Sequence, residues 1–191
     1  MGGRMSKCKI CRQEFIKRSM THKTCGPDCA EKYGIEQARK NSEKKKRQEA
    51  QEDRLKRESL KTKSVHIKEA QKAFNAYIRY RDKDKPCICC GMPLGAQSIG
   101  GLFDCGHYRS VGSAPHLRFH EQNAHGQRKQ CNRWGAGRAV DYRLGLIERI
   151  GLKAVEALES DKGPRLYKVE DLKSIKSDYV NKLKELKRIC K

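Results

Sequence analysis

Apolar positions are sparse along this chain, and their spacing changes from segment to segment. Ile67, Ala70, Ala73, Phe74, Tyr77 and Ile78 recur at the three- and four-residue steps of a helix that packs one face on a core. That pattern starts at Ser64 and ends at Lys85-Pro86, immediately before a group of cysteines. Residues 140–150 and 152–158 predict two short helices divided by Gly151, and Leu172, Ile175, Tyr179, Leu183 and Leu186 predict a C-terminal amphipathic helix. The segment 36–63 differs from all of these. It has no Gly and no Pro, eleven Lys or Arg, six Asp or Glu, and only Ala38, Ala50, Leu55 and Leu60 as apolar residues. Charged helix formers without an apolar stripe predict a solvated helix, read either as a linker or as an arm lying along phosphates.

Composition narrows the partners. The 191 residues carry 44 Lys plus Arg against 23 Asp plus Glu, a formal net charge of +21, and 36% hydrophobic residues, too few to fill a single core of that size. No stretch approaches the ~20 apolar residues that cross a bilayer. Residues 1–10 hold charges and a cysteine where the apolar region of a secretory signal would begin. A polyanion is the natural neutraliser of such a charge. Nucleic acid fits better than an anionic membrane surface, because the most basic segment lacks bulky apolar residues on one face.

Ten cysteines without an export signal point to thiolate metal ligands in a reducing compartment. Cys8, Cys11, Cys25 and Cys29 form two close pairs around a short hairpin containing Phe15 and Ile16, a four-cysteine zinc site by count and spacing. The turn Cys25-Gly26-Pro27-Asp28-Cys29 opens a helix whose N-terminus favours thiolate charge. This arrangement looks like a treble-clef or ribbon finger, serving either to fold the N-terminal segment or to contact bases. Cys87, Cys89, Cys90, Cys105 and Cys131 form the second island, and Cys190 stands apart.

The second island reads Cys87-Ile88-Cys89-Cys90-Gly91, then Asp104-Cys105-Gly106-His107-Tyr108, then a stretch from Asn123 to Asn132. Its order resembles the HNH, or ββα-metal, nuclease motif, with a knuckle, a histidine on a hairpin strand, an asparagine, and a second knuckle leading into a helix. The run 79–84, FDCGHYRS, APHLRF, the Asn-x-His-x-Gln segment, Cys131-Asn132, DYR and LIERIG extend the resemblance over nearly the whole chain to the NinG (Rap) family of phage recombination proteins. The resemblance implies an endonuclease acting on branched DNA such as D-loops and Holliday junctions, in the cytoplasm of an infected bacterium or a lysogen.

Phosphodiester hydrolysis needs an activated water and neutralisation of charge on the phosphoryl and leaving oxygens. His107 is the expected base. Asn132 matches the oxygen ligand of the endonuclease VII type of junction resolvase. Asp104 is the expected second ligand for Mg²⁺ or Mn²⁺, or else orients its loop, since Cys105 and Gly106 separate it from His107. Asn123 corresponds to the asparagine that ties the hairpin loop. His116, His120 and His125 receive no role. Arg109, Arg118, Arg128, Lys129, Arg133, Arg138 and Arg143 are the expected phosphate contacts.

Where the family pattern has a knuckle cysteine this chain has Arg128, so Cys87, Cys90 and Cys131 leave a zinc one ligand short. Cys105 is the expected fourth ligand, Cys89 the weaker choice, and water or an empty site the alternative. The expectation is therefore an α-rich α+β protein: a zinc finger (1–35), a charged helical linker (36–63), and an HNH zinc module wrapped by amphipathic helices (64–191). It binds branched DNA with one or two structural zinc ions, and two cuts per junction suggest a homodimer. The rival readings are a non-catalytic zinc-dependent nucleic-acid-binding protein and an assembly factor that recruits host or phage recombination proteins.

Overall fold

In the computed structural model, residues 4–95, 103–134, 138–163 and 166–189 are described, and Cys190 lies outside them. The chain is α-rich, with two small antiparallel sheets. It divides into two units, residues 1–61 and 62–191. No helix among the described residues is long and apolar enough to cross a membrane.

The first unit begins with a hairpin, β1 (Arg4–Lys7) and β2 (Glu14–Lys17), paired from Arg4 with Lys17 to Lys7 with Glu14. The knuckle between the strands is closed by Cys8 N–H donating to the Gln13 carbonyl (2.8 Å) and Arg12 N–H to the Cys8 carbonyl (3.1 Å), with Arg12 at a φ of 65°. Helix α1 (Pro27–Ser59) follows, with proline in its first turn, where the lost amide hydrogen costs nothing, and Asp28 facing the positive end of the dipole. It runs without a break across the expected boundary at 35/36. The charged segment is thus the continuation of the finger's own helix, because nothing after Gly34 disfavours propagation.

The second unit is built on α2 (Lys63–Arg81) and α5 (Val169–Ile189), which bury Ala70, Phe74, Tyr77, Ile78, Leu172 and Tyr179 against each other and against Phe119 and Ala124. Edge-on ring contacts of Phe74 with Tyr179 (4.8 Å) and Phe119 (5.9 Å) fix this core. Beside it, β3 (Phe103–His107) pairs antiparallel with β4 (Ala124–Arg128), in register from Phe103 with Arg128 to His107 with Ala124. After β4 the expected helix is a single π-helical turn, Gln130–Trp134. Helices α3 (Ala139–Ile150) and α4 (Leu152–Ser160), divided at Gly151, bury Tyr142, Leu146, Val155 and Leu158 with Ile88, Ala114 and Leu117 as a second cluster.

Candidate active site and metal centres

In the first unit, Cys8, Cys11, Cys25 and Cys29 place all four sulfur atoms within 4.8 Å of one another. The Cys11–Cys25 and Cys25–Cys29 separations are 3.4 and 3.7 Å, matching the ~3.8 Å edge of a tetrahedron with ~2.3 Å zinc–sulfur bonds. The knuckle brings Cys8 and Cys11 together, and the first turn of α1 supplies Cys29. Such close thiols cannot all ionise unaided. Burial works against the Cys8 thiolate, but backbone N–H groups of Cys11, Ile10 and Cys25 hold it down to about 6, while hydrogen bonds from Cys11 and its neighbours push Cys25 up to about 12. A bound dication removes that conflict, so the donor set fits zinc.

In the second unit, Cys87, Cys90 and Cys131 form a three-thiol cluster within the same limit, with Cys90 and Cys131 3.6 Å apart. Gly91, at a φ of 66°, lets the knuckle turn so that its N–H reaches the Cys87 carbonyl (3.0 Å). Arg128 stands where a fourth thiol is expected, and its contribution is its backbone N–H, donated to Cys87 Sγ (3.3 Å). Cys105 corrects the expectation: its side chain packs against the α2–α5 core, outside the three-thiol cluster, and burial pushes its thiol up to about 12. Cys89 lies nearer, packing beside Cys87 and accepting a hydrogen bond from Gln127 Nε2 (2.9 Å), yet it also falls outside the cluster. Three thiols can hold zinc with one position left for another donor.

The β3–β4 hairpin carries the remaining candidates. Asn123 is fully buried and clamps the long loop: its Oδ1 accepts from Arg109 N–H (2.8 Å), and its Nδ2 donates to the carbonyls of Arg109 (3.0 Å) and Leu117 (3.2 Å). His107 ends β3. Its Nε2 lies 3.0 Å from the Arg118 carbonyl, which can only accept, so the proton sits on Nε2 and the Nδ1 lone pair is left for a proton. Burial holds the imidazole below its ordinary value, ahead of the smaller opposing effect of that carbonyl, and it is neutral at pH 7. Asp104 and Asn132 come together, Asn132 Nδ2 donating to Asp104 Oδ2 (3.2 Å), and Arg133 Nε donates to the same oxygen (3.1 Å). His107 does not join them. Alternation along β3 turns Asp104 and His107 to opposite faces, with their Cα atoms about 10 Å apart.

Two of the expected phosphate contacts are engaged inside the fold. Arg109 donates to the Leu158 (2.9 Å) and Asp161 (2.6 Å) carbonyls, satisfying the C-terminal end of α4. Arg143 pairs with Glu159 (2.7 Å), which also accepts from the Tyr108 hydroxyl. Arg118 touches Gln71 (3.2 Å) and Arg138 pairs with Asp141 (3.7 Å).

The strongest polar cluster was not assigned from the sequence. Asp82, with no exposed side-chain area, accepts from Arg81 Nε (2.9 Å) and Nη2 (2.8 Å), from Gly126 N–H (2.9 Å) and from Lys85 (3.0 Å), with Arg149 3.8 Å away. Burial opposes its charge, but the hydrogen bonds and charge of Arg81 and the Gly126 N–H hold its carboxyl far below the usual range. His125 donates Nε2–H to the Gln122 carbonyl (3.1 Å), and Arg81 Nη2 donates to its Nδ1 (3.1 Å). Burial keeps this ring neutral, so its 3.6 Å approach to Asp82 is no ion pair. Arg81 also binds the Glu121 and Ala124 carbonyls, which locks the end of α2 to β4. The signal in the sequence was the adjacent Arg81-Asp82 at a helix end.

A family described as Bacteriophage Lambda NinG protein matches residues 3–189. Protein ninG of Salmonella phage P22 is 43% identical over 197 residues, covering 96% of this chain and 94% of its own length. Protein ninG of Escherichia phage lambda is 42% identical over 196 residues (95% and 93%), and that of Escherichia phage 933W is 42% identical over 194 residues (95% and 93%). No solved structure matches. A match to nearly every residue, with the paired cysteines and the hairpin inside it, places this chain in the NinG family of lambda-like bacteriophage proteins.

Proposed function

We propose that the protein is a metal-dependent, HNH-type endonuclease acting on branched DNA during phage recombination, in the cytoplasm of the bacterial host. The observation that carries this reading is the state of His107: a neutral imidazole at the end of a hairpin strand, held in one tautomer by the Arg118 carbonyl, above a loop tied down by Asn123. That is the arrangement of a general base whose free Nδ1 takes the proton of an attacking water. Asp104 and Asn132 offer one carboxylate and one amide oxygen, a donor set suited to Mg²⁺ or Mn²⁺. When bound, the cation supplies charge stabilisation of the phosphoryl and leaving oxygens. With a cation on Asp104, Arg133, whose Nε donates to Asp104 Oδ2, would be available to hold backbone phosphates together with Arg118, Arg128, Lys129 and Arg138. The cysteine clusters, loaded with zinc, fix the knuckles.

A second reading, a non-catalytic nucleic-acid-binding accessory protein, is favoured by one observation, the placement of Asp104 and His107 on opposite faces of β3. The two readings separate on a labelled four-way junction incubated with the zinc-loaded protein. The enzyme nicks it in Mg²⁺ and stops when Mg²⁺ is chelated. The accessory protein shifts the junction in a gel and leaves every strand intact in Mg²⁺ and in Mn²⁺.

A further inference from the structure

Helix α1 is 33 residues long, about 50 Å, and buries none of its residues. Packing does not explain it. Its charges are sorted by face instead. Lys32, Arg39 and Lys46 recur at seven-residue steps, Lys40, Arg47 and Arg54 form the adjacent column at the same step, and Lys44 and Arg57 border them. At ~100° per residue these residues cover one side of the helix, while Glu31, Glu49, Glu52 and Asp53 gather on the other side with Lys45 and Lys56 among them. Asp28, Glu36, Glu43 and Glu58 lie inside the basic stripe, Asp28 in the first turn at the positive end of the helix dipole and the other three as local partners of Lys40 (2.5 Å), Arg39 (3.8 Å) and Lys61 (2.6 Å). Arg47 and Arg54 have no acidic partner among the described residues.

We infer that this stripe is a docking surface for the phosphate backbone of duplex DNA, which the four-cysteine finger anchors at its N-terminal end. Charge complementarity selects the occupant: a regular column of cations matches a regular polyanion. A second copy of the helix or a lipid surface would need an apolar seam, and the large apolar residues Ile35 (64% exposed) and Leu55 (59% exposed) point to different sides. Exposed ion pairs at four-residue steps support the helix; Arg39–Glu43 and Lys40–Glu36 engage two stripe cations, Lys45–Glu49 lies on the opposite side, and Arg47 and Arg54 are left for phosphates. The inference rests on the proposed DNA partner and adds a second contact surface, in the first unit, to the phosphate contacts proposed around the hairpin.

The test compares two variants of the full zinc-loaded chain with equal loss of charge. Arg47→Gln with Arg54→Gln removes two cations from the stripe, and Lys45→Gln with Lys56→Gln removes two from the opposite side. Circular dichroism checks that helix content is unchanged in both. On duplex arms and on a four-way junction, the slope of log affinity against log salt should fall by about 1.8 in the first variant, ~0.9 per lost phosphate contact, and stay at the wild-type value in the second. Equal changes, or no change in either, overturn the docking surface while wild-type cleavage leaves the enzymatic reading standing. A wild-type chain that binds no DNA overturns both.

Discussion

Asp82 shows how one side chain sets the position of several others. Its carboxylate joins Arg81, Lys85 and the Gly126 amide, and through Arg81 it fixes His125 and two carbonyls before β4 and at its start. Removing it by Asp82→Ala strands the buried Arg81 charge and should cost about 3–5 kcal/mol, measured by urea denaturation. Both His107 and His125 are held by burial below their ordinary values. A depressed pKa contributes stability that is fully present above the unfolded value, near ~6.5, and is lost as the pH falls below it. The denaturation midpoint should therefore drop between about pH 7.5 and about pH 5.5. Replacing one of the two titrating groups, by His125→Gln, should make that drop smaller, and an unchanged pH dependence would show that the ring does not titrate with unfolding. The sequence left His125 without a role because a lone histidine carries no signal of its partners, and those partners are more than 40 residues away at Arg81 and Asp82.

At the scale of elements, the periodic segments were legible and the close approaches were not. The stripes from Ile67 to Ile78 and from Leu172 to Leu186 became α2 and α5 because an apolar face repeated over several turns has one way to be buried. The π-helical turn after β4 had no such marker, since Gln130–Trp134 carries no repeating face. Nothing in the sequence marks Gly145 beyond its place in the helical segment 140–150. A Cβ there would meet the Ile88 carbonyl oxygen at 1.9 Å, so α3 sits directly on the backbone of the cysteine knuckle. Gly145→Ala should push the helix away and destabilise the second unit by about 1–3 kcal/mol, with loss of metal from the three-thiol cluster on zinc titration. Full zinc retention with wild-type stability would mean that the knuckle is not braced by α3. The thiol clusters follow the same division. The close pairs Cys8/Cys11 and Cys25/Cys29 announced the first site. In the second, Cys105 packs further along β3 against the α2–α5 core, a placement set by packing that spacing alone does not encode.

Across the whole molecule, Lys plus Arg outnumber Asp plus Glu by 18 to 9 in residues 1–61 and by 26 to 14 in residues 62–191, so each unit is basic in its own right. Affinity for DNA should consequently fall steeply with salt, and isotherms between about 50 and 200 mM salt check this. What the surplus cannot do is cut a strand. That claim rests on His107, and the most direct measurement is junction nicking and junction affinity for wild type and His107→Ala in the same Mg²⁺ buffer. The expected result is unchanged affinity with nicking reduced by about 10² or more, because a general base acts in the chemical step while arginines and lysines hold the phosphates. Nicking by His107→Ala at the wild-type rate, or a wild-type protein that binds the junction and never nicks it, would contradict the account.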